Sequence, residues 1–587
     1  MIKFIHPALF FFIGIAFLPF VRGKALKGLL LVVPALSFLA MLRLTPGVYG
    51  EVNYLGINLI LGRVDALSLV FAHIFTLMAL LGFLYAMHGK DRIEHAMALL
   101  YVGSALGVAF AGDYLTLFIF WEMMGPPSTF LVWLRRKRES LWAGFRYLLV
   151  HAAGGLILLA GIVLHYKATG SLSFESILPA TAGLPEYLIL IGIALNAAVV
   201  PLHAWLPDAY PTATVAGTVF MASYTTKVAL YALARGFGGF SILIPFGVLT
   251  ALCGVAYATI ENDGRKILAC HIVSQMGYMV VGVGIGTKLG IDAACAHAYA
   301  NILFKGLLLM ATGAVLYQTG RSKLNELGGL FKTMPLTLIF CVIGGLAISG
   351  FPFTNGFISK GMVLQAAKES GHLWAMLFLF LAAIGTFLSV GLKLPYFTFF
   401  AEDKNIKAKE PPWNMRLAMA LTAFFCIFHG SYPASFLSLL PYPVEYHAYV
   451  PHHLVETMQI LLFTGLGFYF LHRKLKPEPK LNLDVDWFYR KGARAFIRLF
   501  AYPLEVVDNF VSKLYATAGL RGLMATAWFS AWFDKKGIDG VVDGTAYGVK
   551  NTGGFLRKVQ TGKLNQYAAL AVIFFFVILT VSFWRRW

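Results

Sequence analysis

Ala296-His297-Ala298-Tyr299-Ala300-Asn301-Ile302-Leu303-Phe304-Lys305-Gly306-Leu307-Leu308-Leu309 decides how this chain must be read. The stretch sits inside an apolar run near 292–317, and about 20 mostly apolar residues suffice to cross the hydrocarbon core of a bilayer. At helical pitch His297, Asn301 and Lys305 step by four and share one face. An ionisable group at such a depth costs about 2.5–3.5 kcal/mol on insertion scales, so a span that carries several needs a reason.

The rest of the chain has the same character. Of its 587 residues 58% are hydrophobic and 13% charged, where soluble domains average about 25% charged. That composition excludes soluble domains, a disordered chain, a fibre and a secreted disulfide scaffold. The apolar runs are continuous rather than alternating, which excludes a transmembrane barrel. The fold class expected is therefore an all-α polytopic membrane protein. By length and hydropathy we expect roughly sixteen spans, near 4–21, 27–44, 64–87, 95–111, 113–134, 141–166, 185–207, 213–235, 240–260, 267–286, 292–317, 336–368, 373–400, 415–431, 452–472 and 566–584.

The net charge of +20 follows the loops rather than forming a surface for nucleic acid. With the N-terminus outside, the cytoplasmic loops hold Arg22-Gly-Lys24, Lys90-Asp91-Arg92, Arg135-Arg136-Lys137-Arg138, Arg265-Lys266, Arg321-Ser-Lys323 and Arg473-Lys474. The outer segments 167–184 and 432–451 are nearly free of Lys and Arg, as the positive-inside rule requires. Arg585-Arg586 then falls outside, against that rule. The first apolar run lacks a small-residue cleavage motif and is expected to stay as a span. The cysteines (Cys253, Cys270, Cys295, Cys341, Cys426) are isolated, so no disulfide, zinc or iron–sulfur site is expected. Neither a GxGxxG after a strand nor a Walker motif occurs, and no cofactor is expected in this chain.

Two spans contain breakers: Val199-Val-Pro201-Leu-His-Ala-Trp-Leu-Pro207-Asp-Ala-Tyr-Pro211 and Ser349-Gly350-Phe-Pro352-Phe-Thr-Asn-Gly356-Phe. Proline removes a backbone donor, and such breaks persist in a membrane where neighbours or a wet cavity satisfy the freed groups. Their corresponding places in two halves of the chain suggest an inverted repeat with paired broken helices. Asp208 is expected to end the first broken helix. Further intramembrane charges are Glu122, in Leu117-Phe-Ile-Phe-Trp-Glu122-Met-Met, Lys227, in Ser223-Tyr-Thr-Thr-Lys227-Val-Ala-Leu-Tyr, and Lys360, just after the second break. Lys393 and His151 are weaker candidates. Burial brings such acids and bases nearer neutrality, so a row of them bridged by water is a route for protons.

Residues 473–565 are mixed rather than apolar. Trp487, Phe488, Phe496, Leu499, Phe500, Val506, Val507, Phe510 and Leu514 alternate at helical spacing with Arg490, Lys491, Arg494, Arg498 and Lys513, which predicts an amphipathic surface helix. Pro503 should kink it. Gly537, Gly540, Gly544, Gly548, Gly553 and Gly554 predict a looser connection to the last span. A single helix over 484–533 would reach roughly 75 Å, more than one bundle needs.

At these residues the chain resembles the antiporter-like subunits of respiratory complex I and of Mrp-type cation/proton antiporters. The matching motifs are Phe120-Trp121-Glu122-Met123, Pro201-Leu-His203-Ala-Trp-Leu-Pro207-Asp-Ala, Asp263-Gly-Arg-Lys266-Ile-Leu-Ala, Ser274-Gln275-Met-Gly277-Tyr278, Leu303-Phe304-Lys305-Gly-Leu-Leu, Leu327-Gly-Gly-Leu330 and Gly350-Phe-Pro-Phe-Thr-Asn-Gly-Phe-Ile-Ser-Lys360. They occur in family order over residues 60–400. The resemblance implies two inverted repeats of five helices, each with a broken helix. Glu122 would be the gating glutamate, Lys227 the bridge between half-channels, Lys305 with His297 the central site and Lys360 the terminal site. His203 and Lys393 would be lesser members of the path. Two positions depart from the pattern. Asn196 replaces the lysine that the family places five residues before the first-break proline, and Asn301 replaces a second histidine. Asparagine can bridge by hydrogen bonds but cannot carry the proton; Lys227 is then the expected partner of Glu122.

The segment around Thr225-Thr-Lys227-Val resembles the Mrp D-type subunit. Gly537-Ile-Asp-Gly540-Val-Val-Asp-Gly544 and Leu556-Arg-Lys-Val-Gln560-Thr-Gly562-Lys-Leu-Asn-Gln-Tyr567-Ala resemble the end of the largest antiporter-like subunit of complex I, where a lateral helix precedes a last anchoring span. The expected division is N-terminal helices over 1–90, a first repeat over 91–238, a second over 239–402, further helices over 403–476, a lateral amphipathic arm over 477–565 and an anchoring helix over 566–587. The resemblance implies a proton-translocating subunit of a multisubunit complex in a prokaryotic inner membrane. The arm would lie on the cytoplasmic side against other membrane subunits, and Na⁺ is left open beside H⁺. Any redox chemistry would belong to those partners. The alternatives are a self-sufficient Na⁺/H⁺ antiporter and a scaffold with an impaired channel.

Overall fold

The computed structural model describes residues 4–54, 56–443, 445–472, 474–478, 492 and 497–585. Arg473, the start of the arm (Trp487, Phe488, Arg490, Lys491, Arg494, Phe496) and Arg586 lie outside the described residues. The chain divides into two units, Met1–Asp486 and Trp487–Trp587.

In the first unit acidic and hydroxyl residues open several of the helices, and left-handed glycines close four of those described. α1 (Ala8–Phe17) and α2 (Gly23–Met41) are followed by two strands, β1 (Gly47–Tyr54) and β2 (Ile57–Val64). Asp65 caps α3 (Ala66–Ala86) in a reciprocal bond with Ser68, and Asp91 caps α4 (Arg92–Phe110). The Asp113 carboxylate accepts from Thr116 N at the start of α5 (Tyr114–Trp133). Such caps satisfy backbone donors that a helix start leaves free. α6 (Arg138–Thr169) ends at Gly170 with φ +70°, a left-handed turn that glycine adopts without strain. α7 (Leu184–Asn196) and the short α8 (Trp205–Ala209) flank the first break, and α9 (Val215–Gly236) follows. Then come α10 (Leu243–Ile260), α11 (Gly264–Ile285), α12 (Lys288–Thr319), α13 (Pro335–Ser349), α14 (Asn355–Glu369) and α15 (Leu373–Phe400). α16 (Trp413–Ser431), α17 (Ala434–Leu437) and α18 (Pro451–Leu471) complete the unit.

Eleven helices among the described residues are long and apolar enough to cross a membrane, fewer than the sixteen spans expected. α1, α7 and α13 are apolar but shorter. α7 and α13 are short because both expected breaks occur. Ala198 has φ +55° and Phe353 φ +66°, so neither α7 nor α13 runs on. The hairpin is a correction to the all-α expectation. Gly47 pairs with Val64 and Tyr54 with Ile57, in antiparallel register. Ile60 clamps the turn before α5: its N–H donates to Asp113 and its carbonyl accepts from Gly112 N.

α9, α11 and α12 are the buried centre, with Ala216 to Gly236 of α9 wholly inside. α4–α8 and α10–α14 match element by element roughly 150 residues apart. α6 and α12 are both 32 residues long and both end on a left-handed glycine, Gly170 and Gly320. Asp113 pairs with Ser173 after α6, as Asp263 pairs with Lys323 after α12.

In the second unit, helix runs from 497 to 559 as successive α and π turns, here α19, spanning roughly 95 Å at 1.5 Å per residue. Pro503 lies at the second position of the α stretch Tyr502–Leu514, directly after the π turn Ile497–Ala501. One expectation is corrected. Gly537 to Gly554 stay helical, with one π turn over Asp534–Ile538, and the connection is confined to 560–563. Leu564–Trp584 is α20.

Small residues set the close contact between α10 and α11. A Cβ on Gly277 of α11 would collide with Ala251 N and Gly247 O of α10. Gly277→Val should cost about 1–3 kcal/mol by overpacking, seen as a lower melting temperature in detergent. Gly465→Ala on α18, where nothing lies within 4 Å, should leave that temperature unchanged or slightly raised.

Candidate functional site: buried cations between two broken helices

α5 is unusual in holding Pro126 and Pro127 within its length. Neither has an N–H to give the carbonyls of Glu122 and Met123. Glu122 therefore projects beside freed backbone. It is half-buried, and its carboxylate lies directly against Gly155 of α6, where a Cβ would overlap it. A cavity of about 100 Å³ at this point is lined by Glu122, Gly125, Ser128, Tyr147, His151, Asn196 and Thr225. Asn196 is the last residue of α7 and its Oδ1 is buried without a partner among the described residues. The substituted position and the glutamate thus share one cavity. The expected ion pair between Glu122 and Lys227 is not formed. Lys227 is wholly buried in α9 and donates to Ala222 O and Thr226 Oγ1, each at 3.1 Å. What reaches the cavity from α9 is Thr225, bonded to the Tyr101 hydroxyl and, at 3.4 Å, to that of Tyr147.

The central residues come together as their spacing predicts. Lys305 is fully buried and donates from Nζ to Leu268 O of α11 at 3.0 Å. His297 is held at both nitrogens, by Ser359 Oγ of α14 at 3.0 Å and Gln275 Oε1 of α11 at 3.1 Å. The neutral ring thus carries its proton on Nε2 and accepts from the serine on Nδ1. Between them Asn301 has neither amide atom paired among the described residues. Lys360 lies 5.4 Å from the centre of the Tyr278 ring, its ammonium buried and without a hydrogen-bond partner among the described residues. None of Lys227, Lys305 and Lys360 has a carboxylate within ion-pair distance among the described residues.

Other expected members are placed differently. Lys393 donates to Thr259 O at 2.8 Å and Glu261 O at 2.7 Å, and so closes the end of α10. The neighbouring Glu261 carboxyl is opposed by burial, but the Lys266 ammonium at 2.8 Å holds it below the ordinary range. His203 is buried within the first break. His151 stacks on Tyr147 and donates to its carbonyl from Nδ1. Asp208 does not end a helix; it lies within α8, paired with Arg146 at 2.7 Å. Trp205 closes α7 instead, donating to Leu195 O at 3.0 Å.

Several polar residues escaped the sequence reading. Gln275 and Ser359 lie inside quoted motifs, but only the packing shows that both bind His297. His73 of α3, Tyr299 of α12 and His429 of α16 form a second polar cluster, with the tyrosine hydroxyl 3.1 Å and 3.5 Å from the two rings. The only signal for it was polar residues in apolar runs.

Residues 111–385, which span both broken helices and all three lysines, match the family model described as the transmembrane part of NADH:quinone oxidoreductase and Mrp antiporters. Over those residues the chain is similar to this antiporter family. The A-type subunit of the Na⁺/H⁺ antiporter of Alkalihalophilus pseudofirmus is 26% identical over 582 residues, covering 90% of this chain and 68% of the relative. The L-type subunit of the F420H2 dehydrogenase of Methanosarcina mazei is 26% identical over 587 residues, covering 87% and 86%. A chain of the membrane-bound sulfane sulfur reductase, an archaeal respiratory membrane complex, superposes with a TM-score of 0.70 at 22% identity, over 98% of this chain and 99% of that one. The likeness at that identity is one of fold. The antiporter relative is of the A type, whereas the motif around Lys227 resembles the D type. The chain is an integral membrane protein similar to the antiporter-like subunits of Mrp and complex I assemblies.

Lys393→Met should lower thermal stability by about 1.5–3 kcal/mol, the worth of hydrogen bonds from a charged donor. Transport per folded molecule should be retained. A melting curve and a vesicle transport assay on the same preparation check both.

Proposed function

We propose that this chain is the proton-conducting membrane subunit of a multisubunit complex, with Lys227, Lys305, His297 and Lys360 as the path and Glu122 as its gate. The observation that carries the reading is a row of buried lysines, Lys227, Lys305 and Lys360, that lack carboxylate partners among the described residues. A buried cation without a counter-charge is expensive. In a row, protonating one member disfavours protonation of the next, so the charge moves as in coupled titrations. The unpaired amides of Asn301 and Asn355 and the unpaired ammonium of Lys360, all among the described residues, are where water would complete the route, since buried polar groups are ordinarily paired with protein or water. Asn196 gives Glu122 a hydrogen-bonding neighbour in place of a charged one. Entry through the first half is then set by Glu122, His151 and cavity water.

The same reading holds that α4–α9 and α10–α15 are inverted repeats. Loop charge supports it. The turn before α5 and the segment after α6 are nearly free of Lys and Arg, while their counterparts around α11 and α12 carry Arg265, Lys266, Arg321 and Lys323. Opposite charge at equivalent ends is what inversion and the positive-inside rule produce together. The N-terminus is then outside, in a prokaryotic inner membrane. H⁺ is the ion carried, with a second cation such as Na⁺ exchanged by the assembly. α19 is the surface against which neighbouring subunits pack.

In vesicles holding the intact complex, Lys305→Ala should abolish ion movement without loss of assembly, and wild-type pumping would overturn the reading. Glu122→Gln should also stop transport. Activity retained in that variant alone would mean that protons enter without the first half. Truncation after residue 476 should weaken assembly, measured as the yield of complex on native gels; full yield would remove the role given to α19.

A further inference from the structure

Two hollows of the first unit meet at one end of the bundle. The first is a cavity of about 620 Å³ where α14 stops and α15 and α18 start. The second is a groove of about 580 Å³ that continues along α15 and α18 past Ile384, Ile460, Phe463 and Thr464. Phe380 and Glu456 line both, so the cavity leads into the groove. Toward α14 the cavity is walled by two rings. A Cβ on Gly361 would collide with the Tyr446 hydroxyl and the His453 ring, and His453 stacks flat on Phe357 at 4.3 Å.

The two hollows differ in chemistry. Lys368, Glu445 and Glu456 line the cavity and are exposed. Among the described residues none of the three takes part in an ion pair. Glu369 beside them is engaged, accepting from Gln365 Nε2 at 2.6 Å. The groove is mainly apolar, and the Thr464 hydroxyl within it already donates to Ile460 O at 2.6 Å. From Glu456 to Thr464 α18 rises about 12 Å. One leaflet of a hydrocarbon core about 30 Å thick is about 15 Å deep. The groove therefore runs from the charged cavity through most of one leaflet.

A charged cavity that leads into an apolar groove one leaflet deep matches a molecule with a charged head and a hydrocarbon tail. The charges select the head. An anionic head would meet two free carboxylates and one ammonium, which oppose it on balance. A head that carries both signs finds a partner for each. An apolar helix of a neighbouring subunit would fill the groove but leave the charges of the cavity without partners. We propose that the two hollows bind a phospholipid with an ethanolamine head, drawn from the leaflet on the side of the 432–450 segment. Its phosphate oxygens accept from Lys368 Nζ, and its ammonium donates to the Glu445 and Glu456 carboxylates. One acyl chain lies along Ile384, Ile460 and Phe463. A choline head has no N–H and offers those carboxylates no such hydrogen bond. The site uses none of the residues of the proton path and stands whether or not that path is correct.

The test uses the full chain in its native complex, placed in nanodiscs of phosphatidylcholine. The probe is a trace of phosphatidylethanolamine with a diazirine on its acyl chain, and peptide mass spectrometry after illumination locates the adducts. They should concentrate on residues 380–384 and 459–464. Unlabelled phosphatidylethanolamine should suppress them several-fold, and the same amount of phosphatidylglycerol should not. Glu445→Gln combined with Glu456→Gln should lower the groove adducts several-fold while adducts elsewhere on the complex stay constant. Lys368→Gln should do the same through the phosphate. Parental melting temperatures show that these surface variants are folded. Adducts spread evenly over the membrane-facing helices, or equal competition by the two lipids, mean ordinary surrounding lipid and overturn the site. Groove adducts that survive all three substitutions overturn the assignment of the head. A groove without adducts in the assembled complex is covered by a neighbouring subunit, which also overturns the proposal.

Discussion

Lys227, Lys305 and Lys393 are held by backbone carbonyls rather than by acids, and much of the arrangement depends on that. Lysine and arginine number 48 against 28 aspartates and glutamates, so the acids cannot pair them all. The carboxylates that do form ion pairs lie near helix ends and turns: Asp65 with Arg235, Asp208 with Arg146, Glu261 with Lys266, Glu175 with Arg63. Inside, Lys227 takes Ala222 O, Lys305 takes Leu268 O and Lys393 takes Thr259 O and Glu261 O. A carbonyl dipole stabilises an ammonium without cancelling its charge. A group held that way gives up its proton more readily than one locked to a carboxylate, because releasing the proton leaves no unpaired buried anion behind.

Carbonyls can serve cations only where the helix does not already use them fully, or where a second lone pair is in reach. That links the charges to the breaks. The prolines of α5 free two carbonyls beside Glu122, the first break ends α7 at Asn196, and the second ends α13 just before Lys360. In hydrocarbon each freed backbone group needs a partner, and here side chains supply several of them. Trp205 closes α7 and the Tyr449 hydroxyl takes Phe353 N. The same chemistry that makes a break tolerable makes its surroundings polar enough for a buried lysine. The two features therefore occur together, and the family match spans both.

This coupling explains what was legible in the sequence. Pro201, Gly350 and Pro352 interrupt apolar runs, and no regular helix passes them, so both breaks could be placed from residue type. His297 and Lys305 could be placed on one face because four-residue steps survive any packing. The partner of Glu122 could not. Lys227 and Thr225 are two residues apart on α9 and point to nearly opposite sides, so the rotation of that helix about its axis decides which one faces the cavity. Lys393 looks like any other intramembrane lysine until the end of α10 is seen beneath it. The hairpin over 47–64 was missed because a stretch too polar to span was left as a connection. The glycines of 537–554 signalled a loop by composition, yet helix persists, since one glycine costs only about 1 kcal/mol and neighbouring residues favour the helix.

α19 and α20 pose the opposite problem to the buried centre. None of their described residues is buried within this chain. Val506, Val507, Phe510 and Leu514 are all exposed, as are Trp528, Phe529 and Trp532 further on. An apolar surface of that length is far larger than a monomeric soluble protein leaves uncovered, and a helix gains most of its stability from packing one face rather than from propensity. α20 has the bilayer for a solvent. α19 carries charges throughout, among them Arg498, Lys513, Lys535 and Lys536, and cannot be immersed in the same way. Its order must come from a surface that is apolar on one side and wet on the other. The membrane interface offers that along its plane, and the flank of a neighbouring membrane subunit offers it with side-chain complementarity as well. A helix of about 95 Å laid on lipid alone would gain nothing from its length. In the proposed assembly, laid across neighbouring subunits, its length would tie them together.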